Sequence, residues 1–568
     1  MIICGLKLTH DGAMALIDNG KLILSIEMEK LCNNNRFTEI SDTAIIPDIL
    51  EKYGYSTSSV DIFAIDGWGG VNEDALAIQP RLEIGKGYNI LSALNNSKPY
   101  KIRVGTYEES TLKSDILKEW SFEGLKMGNV ERDYCSFLHV SGHVISAYCT
   151  SDFARNNESS YILVWDGGMY PRLYFFDAQS KSIENLGPIF LLIGNIYSIF
   201  SQHFGPFKVK GNFAKDSLSV AGKVMAYIAL GSVKKELFKY FDDIYKNCYV
   251  TPMGFANVFA REFKLKIKDQ AYSDEDILCS FHAYLEEMLI KKLEKKVSRY
   301  DIGCKNLCIS GGCALNIKWN SAIRNSGLFN KVYVPPFPND SGSAIGVACC
   351  AMLKTSPNLY LNWNVYSGPE IIKNQPDIGW ISKECSVSEL AQLLYFSNEP
   401  VVFLNGKAEL GPRALGNRSI IASPESKAMK DLLNYLKLRE PYRPVSPICL
   451  EEKAKEIFEP GISDPYMLFD HIVRNIWESR IPAICHLDGT ARLQTVNSEQ
   501  NPVVAELLLE FEKLSGIPIL CNTSANYKGC GFFPDIFSTT KWNKVNYVWC
   551  DNVLFERECK IDYSQVLI

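Results

Sequence analysis

One local pattern occurs twice in the chain and most strongly limits its fold: a strand, a turn that contains Asp and Gly, and a second strand. In the first copy, apolar segments at residues 2–7, 13–17 and 21–26 are separated by the turns Thr9-His-Asp-Gly and Asn19-Gly20. Asn-Gly favours a two-residue hairpin because both residues tolerate positive φ. The second copy consists of residues 161–165, the turn Asp166-Gly-Gly and residues 172–176. The sequence therefore predicts two related halves.

This repeat is typical of the duplicated actin-like (ASKHA) ATPase fold, so we expect the α/β fold class. Residues 111–130, between the halves, are predicted to be helical, and residues 274–299 to form a long amphipathic helix. Residues 356–374 are rich in Pro, Asn and Gly, which is typical of a linker. We predict an actin-like domain at residues 1–355, a linker at 356–379 and a second α/β domain at 380–568.

Length and charge agree with a large folded protein. A chain of 568 residues exceeds the size at which one hydrophobic core keeps growing. Its 60 basic and 65 acidic residues give a net charge of −5, which disfavours a nucleic-acid scaffold without ruling out a local basic groove. The first residues are typical of a strand rather than a signal sequence, and we expect no membrane helix. We expect a cytoplasmic protein whose 18 scattered cysteines are reduced.

Two of the seven histidines, His139 and His143, are four residues apart. On a helix this spacing places both imidazoles on one face, where they can bind one metal ion. Asp340 precedes a small-residue turn and an apolar helix, and it is a candidate oxygen ligand. The alternatives are two ordinary histidines with satisfied hydrogen bonds and an Asp that caps a helix.

Several turns that contain glycine are candidates for nucleotide binding. Gly311 and Gly312 lie between an apolar strand and a helix, where glycine lets the backbone approach a nucleotide, and Asn316 could bind its ribose or phosphate. The Gly342 amide precedes an apolar helix and suits phosphate oxygens. Gly222-Lys223 forms a similar candidate pair. A plain tight turn or a solvated lysine explains each feature equally well when it is viewed alone.

The C-terminal part concentrates cations in loop-like segments. Residues 406–419 contain Lys407, Arg413 and Arg418, and residues 437–443 contain three more cations. Mutual repulsion disfavours such clusters unless an anion is bound, and the planar guanidinium suits phosphate. Two polar runs, at residues 486–494 and 522–526, adjoin apolar segments, and a strand end is where α/β enzymes tend to bind ligands. The sequence therefore predicts an anion site in this part of the chain.

Together these motifs resemble the O-carbamoyltransferase family, which includes nodulation, tobramycin and hydroxymethylcephem carbamoyltransferases. The resemblance covers essentially the whole chain, and its most specific elements are Gly411-Pro-Arg-Ala-Leu-Gly-Asn-Arg-Ser419, Lys437-x-Arg439-Glu440 with Arg443-Pro444, and Asn522-Thr-Ser524. It implies an actin-like N-terminal domain and a YrdC-like C-terminal domain. It also implies an enzyme that makes a carbamoyl-adenylate from carbamoyl phosphate and ATP and passes the carbamoyl group to an acceptor hydroxyl.

The resemblance also implies residue roles. A divalent metal, iron by resemblance with magnesium as an alternative, would be bound by His139, His143 and Asp340, with Asp166 nearby as a catalytic residue. His10 would deprotonate or orient the acceptor hydroxyl, with Asp11 as the alternative. ATP would contact Gly222, Lys223, Gly311, Gly312, Asn316 and Gly342. The residues implied for carbamoyl phosphate or the adenylate are Lys407, Glu409, Arg413, Arg418, Ser419, Lys437, Arg439, Arg443, His486, Arg492, Asn522 and Ser524.

The acceptor is the least determined part of this interpretation. Residues 27–36 depart from the Glu-Glu-Arg-Phe-x-Arg motif of many relatives and, with Asp66-Gly-Trp68, are more similar to the hydroxymethylcephem branch. We therefore expect a small hydroxymethyl compound of natural product biosynthesis or a modified nucleoside. A hydroxymethylated base in DNA or RNA and an actin-fold small-molecule kinase are the alternatives. The resemblance allows a homodimer.

Overall fold

The structure is a computed structural model that describes residues 1–69, 80–85, 99–211, 213–215, 217–247 and 252–564. Within these ranges, no helix combines the length and the apolar character that are needed to cross a bilayer.

The first sheet contains the first copy of the repeat. Its strands run in the order β3-β2-β1-β4-β8-β7. Strand β2 is antiparallel to β1 and β3, whereas β4 is parallel to β1 and β8. The strands of this region, including the separate hairpin β5-β6, are β1 Ile2–Lys7, β2 Ala13–Asp18, β3 Lys21–Glu27, β4 Ile62–Asp66, β5 Arg81–Ile84, β6 Tyr100–Arg103, β7 Trp120–Met127 and β8 Val130–Phe137. Asn19 and Gly20 have φ values of 47° and 79°, which confirms the predicted hairpin turn.

The second sheet repeats this arrangement. Its strands are β9 Ser160–Val164, β10 Arg172–Asp177, β11 Ser182–Pro188, β12 Asn306–Ser310 and β13 Lys331–Tyr333. They run in the order β11-β10-β9-β12-β13, with two antiparallel pairs followed by two parallel pairs. In the first sheet, the strands β3, β2, β1, β4 and β8 have the same order and the same relative directions. The recurrence confirms the predicted duplicated, actin-like α/β fold.

Two helices pack between these sheets and position the site. The helices of this part are α1 Ile45–Lys52, α2 His139–Cys149, α3 Asp152–Arg155, α4 Ile196–Ser201, α5 Ala221–Tyr227, α6 Phe238–Asn247, α7 Pro252–Lys266, α8 Asp274–Tyr300, α9 Ile317–Asn325 and α10 Ser343–Thr355. Helix α10 packs on β1, β2 and β4, helix α2 packs on β9 and β12, and the two helices pack on each other. The bounds of α8 confirm the helix predicted at residues 274–299.

The helical prediction for residues 111–130 was wrong, because β7 occupies Trp120–Met127. Phe122, Leu125 and Met127 are buried while their neighbours face solvent. The pairing with β8 shifts register between Phe122 and Leu125, at a β-bulge. The extra residue interrupts the alternation of apolar and polar positions that identifies a strand in a sequence.

The C-terminal part has its own sheet, in the order β14-β24-β23-β15-β16-β22-β17-β21, and a small sheet β18-β19-β20. The strands are β14 Trp380–Glu384, β15 Val401–Leu404, β16 Arg418–Ala422, β17 Ser446–Leu450, β18 Phe458–Glu459, β19 His471–Val473, β20 Thr490–Ala491, β21 Gln494–Val496, β22 Ile519–Ser524, β23 Tyr547–Cys550 and β24 Val553–Arg557. The helices are α11 Val387–Ser397, α12 Lys427–Leu436, α13 Glu451–Ile457, α14 Asn475–Glu478, α15 Pro502–Ser515 and α16 Ile536–Trp542. A separate hydrophobic core unites these elements.

A buried lysine joins the first sheet to a C-terminal loop. Lys30 Nζ is 2.7 Å from Glu27 Oε1 and donates hydrogen bonds to the carbonyls of Glu409 and Gly411 at 2.6 and 2.8 Å. The Gly411 amide donates back to Glu27 Oε1 at 2.7 Å. A side chain at Gly411 would overlap the carbonyl of Pro336, so the loop can approach this closely only with glycine. These contacts fix the cation-rich loop against the N-terminal sheets.

We expect Lys30→Met to lower the melting temperature strongly, because it leaves the Glu27 carboxylate buried without its cation. Breaking a buried pair in this way costs about 3–5 kcal/mol. The double variant Glu27→Gln/Lys30→Met should be much less destabilised, and Lys52→Met, at an exposed helix position, should behave like the wild type. Thermal and urea unfolding measure the stability of all three variants. Equal destabilisation by the single and double variants would contradict the proposed pairing.

Candidate functional site

A cavity of about 1020 Å³ lies between the N-terminal sheets and the C-terminal sheet. One end is lined by His10, Asp11, Asp166 and Asp340. The other end is lined by arginines and by the polar end of β22. The cavity therefore connects residues that the sequence predicts for two different chemical tasks.

A four-residue cluster with metal-ligand chemistry lies at the first end. The side chains of His139, His143, Asp166 and Asp340 each offer one ligand atom within 4.8 Å of the others. The two histidine Nε2 atoms are 3.2 Å apart, and each is 3.4 Å from Asp340 Oδ1. Asp166 is more distant, with an oxygen 4.0 Å from each Nε2. The set joins the three sequence-predicted ligands with Asp166, which was predicted as a nearby catalytic residue rather than as a ligand.

The local fold explains this convergence. Helix α2 begins at His139, directly after β8, so His139 and His143 project from one face of its first turns. Asp166 follows β9, and Asp340 precedes α10. Helices α2 and α10 cross so closely that a side chain at Gly346 would overlap the backbone of Gly142. This close crossing brings the histidines to the carboxylate.

Neighbouring groups orient these ligands. Asp66 Oδ2 is 2.8 Å from His139 Nδ1, which leaves Nε2 directed at the cluster. Lys7 Nζ is 2.9 Å from both Asp66 Oδ2 and Asp340 Oδ2. Asp166 accepts hydrogen bonds from the Tyr107 hydroxyl and from a backbone amide, both at 2.7 Å. All of these partners are residues that the sequence analysis did not assign to the metal.

The donor set and its charge fit a cation. Burial alone would lower the pKa of His139, but the carboxylates of Asp66 and Asp340 outweigh burial and raise this pKa to about 9. The site therefore stabilises positive charge at the imidazoles. Two imidazoles with carboxylates suit first-row transition metals such as iron better than magnesium, which prefers an all-oxygen shell.

His10 lies beside the cluster. Its Nδ1 is 2.9 Å from Asp11 Oδ2, and its Nε2 is 3.5 Å from Asp340 Oδ2. Asp11 has a positive φ of 55° and also accepts a hydrogen bond from Asn339 at 3.3 Å. The turn thus presents one imidazole nitrogen to the cavity while Asp11 holds the other.

The predicted ATP residues divide into two groups. Gly222, Lys223, Gly312 and Asn316 line the cavity. The Gly312 amide is already bonded to Asp166, and Asn316 Oδ1 caps α9 by accepting from the backbone of Lys318 and Trp319. Gly311 and Gly342 are not among the described residues that line the cavity. Their amides donate to the carbonyls of Pro338 and Asn339 instead.

Five arginines converge at the other end of the cavity: Arg36, Arg413, Arg439, Arg443 and Arg492. The pKa of Arg413 is lowered to about 10, mainly by burial and then by repulsion from Arg36 and Arg443. Burial, followed by repulsion from Arg443, Arg36 and Arg413, lowers the pKa of Arg439 to about 9. Crowded like charges of this kind favour binding of an anion. We call these five residues the arginine cluster.

Polar groups at the end of β22 surround the arginine cluster. Arg439 donates to Thr523 Oγ1 at 2.9 Å, and Lys437 Nζ donates to the Ser524 and Asn526 carbonyls at 2.7 and 2.8 Å. The predicted residues His486, Asn522 and Ser524 also line the cavity. Because carbonyls hold its side-chain nitrogen, Lys437 fixes the strand end, while burial and repulsion from Arg439 and Arg36 hold its pKa well below the usual value.

Four other residues that were predicted to bind an anion are not among the described residues that line the cavity: Lys407, Glu409, Arg418 and Ser419. The Arg418 guanidinium is buried and donates to four backbone carbonyls. Glu409 Oε1 accepts from the amides of Leu415, Asn417 and Arg418. Ser419 Oγ accepts from Gly416, and Lys407 lies over the Tyr53 ring. Glu409, Arg418 and Ser419 therefore shape the loop that carries Arg413.

Sequence reasoning missed Arg36, Lys7, Asp66 and Tyr107. Arg36 lies in the N-terminal part, far in sequence from the other cations, and its motif was considered only for the acceptor. Lys7 and Asp66 are ionisable residues at the ends of apolar strands, β1 and β4. A charge at the end of a buried strand is the signal that could have identified them.

Comparisons with known proteins match two family models and several curated relatives to this chain. The family model for the carbamoyltransferase N-terminus matches residues 2–349, and that for the carbamoyltransferase C-terminus matches residues 391–557. Nodulation protein U of Rhizobium tropici is 45% identical over 577 residues, which cover 98% of this chain and 96% of that protein. The 3'-hydroxymethylcephem-O-carbamoyltransferase of Streptomyces clavuligerus is 31% identical over 558 residues, which cover 96% of this chain and 97% of that protein.

These matches define an enzyme of the transferase class. The chain belongs to the carbamoyltransferase family, which confirms the resemblance drawn from its motifs. Among solved structures, the ADPNP-bound activator of 2-hydroxyisocaproyl-CoA dehydratase from Clostridium difficile is similar at 13% identity and a TM-score of 0.33, covering 62% of this chain and 95% of that one. That score is too low to add to the sheet topology described above.

We expect His143→Ala to abolish stoichiometric metal binding, because it removes one of the clustered ligands. Asp66→Asn should weaken metal affinity about 10–100-fold, the usual effect of losing a partner that orients a ligand. His203→Ala is the control, since that ring lies outside the cluster and bonds Asn257. Elemental analysis of purified protein after dialysis measures the metal content. Retention of one equivalent by His143→Ala would contradict the assignment.

We expect pyrophosphate to stabilise the wild-type protein, because an anion relieves repulsion in the arginine cluster. At 100 times the Kd the gain is about 2.7 kcal/mol. Arg439→Gln should lose most of this gain, whereas Lys407→Gln should keep it, because Lys407 lies outside the cavity. Thermal unfolding with and without pyrophosphate distinguishes the two. The reverse pattern would show that the anion binds elsewhere.

Proposed function

We propose that this protein is an ATP-dependent O-carbamoyltransferase that activates carbamoyl phosphate as a carbamoyl-adenylate and transfers the carbamoyl group to an acceptor hydroxyl. The observation that carries the proposal is the continuous cavity between the arginine cluster and the cluster of His139, His143, Asp166 and Asp340. Its ends differ in charge and chemistry, as two consecutive steps require. The division into domains at residues 1–355 and 380–568 is part of this proposal.

The arginine cluster suits the first step. Carbamoyl phosphate and the triphosphate of ATP are both anionic, and guanidinium groups bind such oxygens in pairs. In balance, carbamoyl phosphate, ATP and one water give carbamoyl-adenylate, phosphate and pyrophosphate. The product is a mixed anhydride whose AMP group leaves readily. The lining at Gly222 and Lys223 offers space for the nucleotide near this end.

The second step is assigned to the end that contains His10. The acceptor oxygen attacks the carbamoyl carbon, the bond from that carbon to the AMP oxygen breaks, and the hydroxyl proton passes to His10 Nε2. Asp11 holds His10 Nδ1 and orients the ring, and Nε2, which lies 3.5 Å from Asp340 Oδ2, is the proposed base. His139, His143, Asp166 and Asp340 would hold the divalent metal, which we propose is iron, and a bound metal supplies Lewis acidity at this end.

Because both ends open into one cavity, the reactive anhydride need not enter bulk solvent. Exclusion of water matters here, since hydrolysis would waste the activated group. Relatives named as 3'-hydroxymethylcephem-O-carbamoyltransferase make a hydroxymethyl group the first acceptor to test. Free acceptors of natural product biosynthesis are therefore proposed ahead of polymers.

The test incubates the enzyme with ATP, isotopically labelled carbamoyl phosphate and a panel of alcohols that includes a 3'-hydroxymethylcephem. We expect pyrophosphate and AMP to form and one alcohol to gain a labelled carbamoyl group by mass. Arg439→Ala should abolish pyrophosphate formation. His10→Ala should retain it but transfer at least about 100-fold more slowly, the lower range for loss of a general base. A phosphorylated alcohol, or label transfer without pyrophosphate, would refute the proposed sequence.

A further inference from the structure

The loop at residues 31–37, which we call the Asn loop, brings one N-terminal arginine into the arginine cluster. The Arg36 side chain is 37% exposed and lines the cavity. Its Nη2 donates to the Pro412 carbonyl at 3.2 Å, and its Nε is 3.8 Å from Glu29 Oε1. That Nε makes no hydrogen bond to any residue of the described chain. A ligand in the cavity would therefore contact the exposed part of the guanidinium rather than the buried Nε.

The Asn loop is attached to both ends of the cavity. Toward His10, the Phe37 carbonyl accepts from the Asp11 amide at 3.2 Å. Toward the C-terminal part, the Arg36 amide donates to the Gly529 carbonyl at 2.9 Å, and the Asn34 carbonyl accepts from Gly531 at 3.0 Å. The loop that carries Arg36 thus contacts both the region proposed for activation and the region proposed for transfer.

The backbone of the Asn loop is held in an unfavourable conformation. Cys32, Asn33 and Phe37 have φ values of 52°, 54° and 66°, in the left-handed region. Such a conformation is a marked departure for a bulky residue such as Phe. Strain of this kind persists where the surrounding structure enforces it, and it concentrates at ligand-binding segments. The fixed loop gives Arg36 little freedom to leave the cavity.

Electrostatics place Arg36 in the same volume as the donor-binding arginines. Arg36 is among the charges that lower the pKa of Arg413 and of Arg439. Glu29 balances Arg36 only loosely, since one carboxylate oxygen lies 3.8 Å away and the other accepts from the Phe37 amide at 3.2 Å. A phosphate could therefore bind Arg36 without first breaking a strong ion pair.

We propose that Arg36 holds the adenylate phosphate while its carbamoyl group is presented to the acceptor at the His10 end. This inference rests on the proposed function and adds a positioning residue to it. Arg36 forms no covalent bond and transfers no proton. It keeps the AMP phosphate bound between the two steps, so that the acceptor rather than water attacks the carbamoyl carbon.

The test compares Arg36→Ala and Arg36→Lys with the wild type in two measurements. The first is the Kd for AMP, which carries the same phosphate. The second is the ratio of carbamoylated alcohol to released AMP. It is measured with each alcohol of the panel, and 3'-hydroxymethylcephem is tested first. For Arg36→Ala we expect AMP binding and the ratio each to fall about tenfold, as loss of one charge-assisted hydrogen bond predicts. Because Arg36 belongs to the arginine cluster, pyrophosphate formation should also fall, but by less than product formation does, and Arg36→Lys should recover part of the losses in AMP binding and in the ratio.

Two control variants separate charge from structure. Arg299→Ala removes an exposed arginine from α8 and should leave both measurements unchanged. Asn34→Ala removes the hydrogen bond from Asn34 Nδ2 to the Met28 carbonyl at 2.7 Å, and it perturbs the Asn loop without changing charge. If Asn34→Ala reproduced both losses, or if Arg36→Ala reduced pyrophosphate in parallel with product, the inference would be overturned. Absence of pyrophosphate with the wild-type enzyme would instead refute the proposed function itself.

Discussion

The contact of Lys30 with the loop around Glu409 and Gly411 holds the cation-rich part of the site against the first sheet. It places an ammonium group in the interior, where Glu27 and two backbone carbonyls compensate its charge. Such a group tolerates little displacement, because each lost partner leaves a buried charge unsatisfied. The loop that bears Arg413 therefore has one permitted position relative to the first sheet, and the cavity is defined by that position.

Charge is distributed unevenly within this cavity. At one end, carboxylates outnumber nearby cations and favour a metal ion. At the other end, arginines that depress one another's pKa favour an anion. Each end therefore suits a ligand whose charge is opposite to its own. The family membership gives this polarity a chemical meaning, since an anionic donor must be brought to an uncharged hydroxyl.

Much of this arrangement could be predicted from the sequence, and the failures have physical causes. The Asn19-Gly20 hairpin and the pairing of His139 with His143 follow from local geometry, which neighbouring residues specify. The strand at Trp120–Met127 was missed because its bulge disrupts the alternation on which strand prediction depends. Arg413 and Arg418 belong to one motif, yet one guanidinium lines the cavity and the other is enclosed by carbonyls. Spacing alone cannot separate a ligand-binding arginine from one that braces its loop.

Arg36 illustrates a further limit, because its position depends on contacts with residues almost five hundred positions away. A sequence motif groups residues that are close in sequence, whereas this loop contacts parts of the chain that meet only after folding.

The tight crossing of α2 and α10 at Gly142 and Gly346 bears on how the enzyme could be redesigned. Since even one added methyl group would force these helices apart, the wall beneath the histidines is intolerant of randomisation. The opposite wall, which includes Leu218 and Met225, is not subject to that backbone contact. Substitutions on this second wall, beside Gly222 and Lys223, would change the space proposed for the nucleotide without disturbing the two helices.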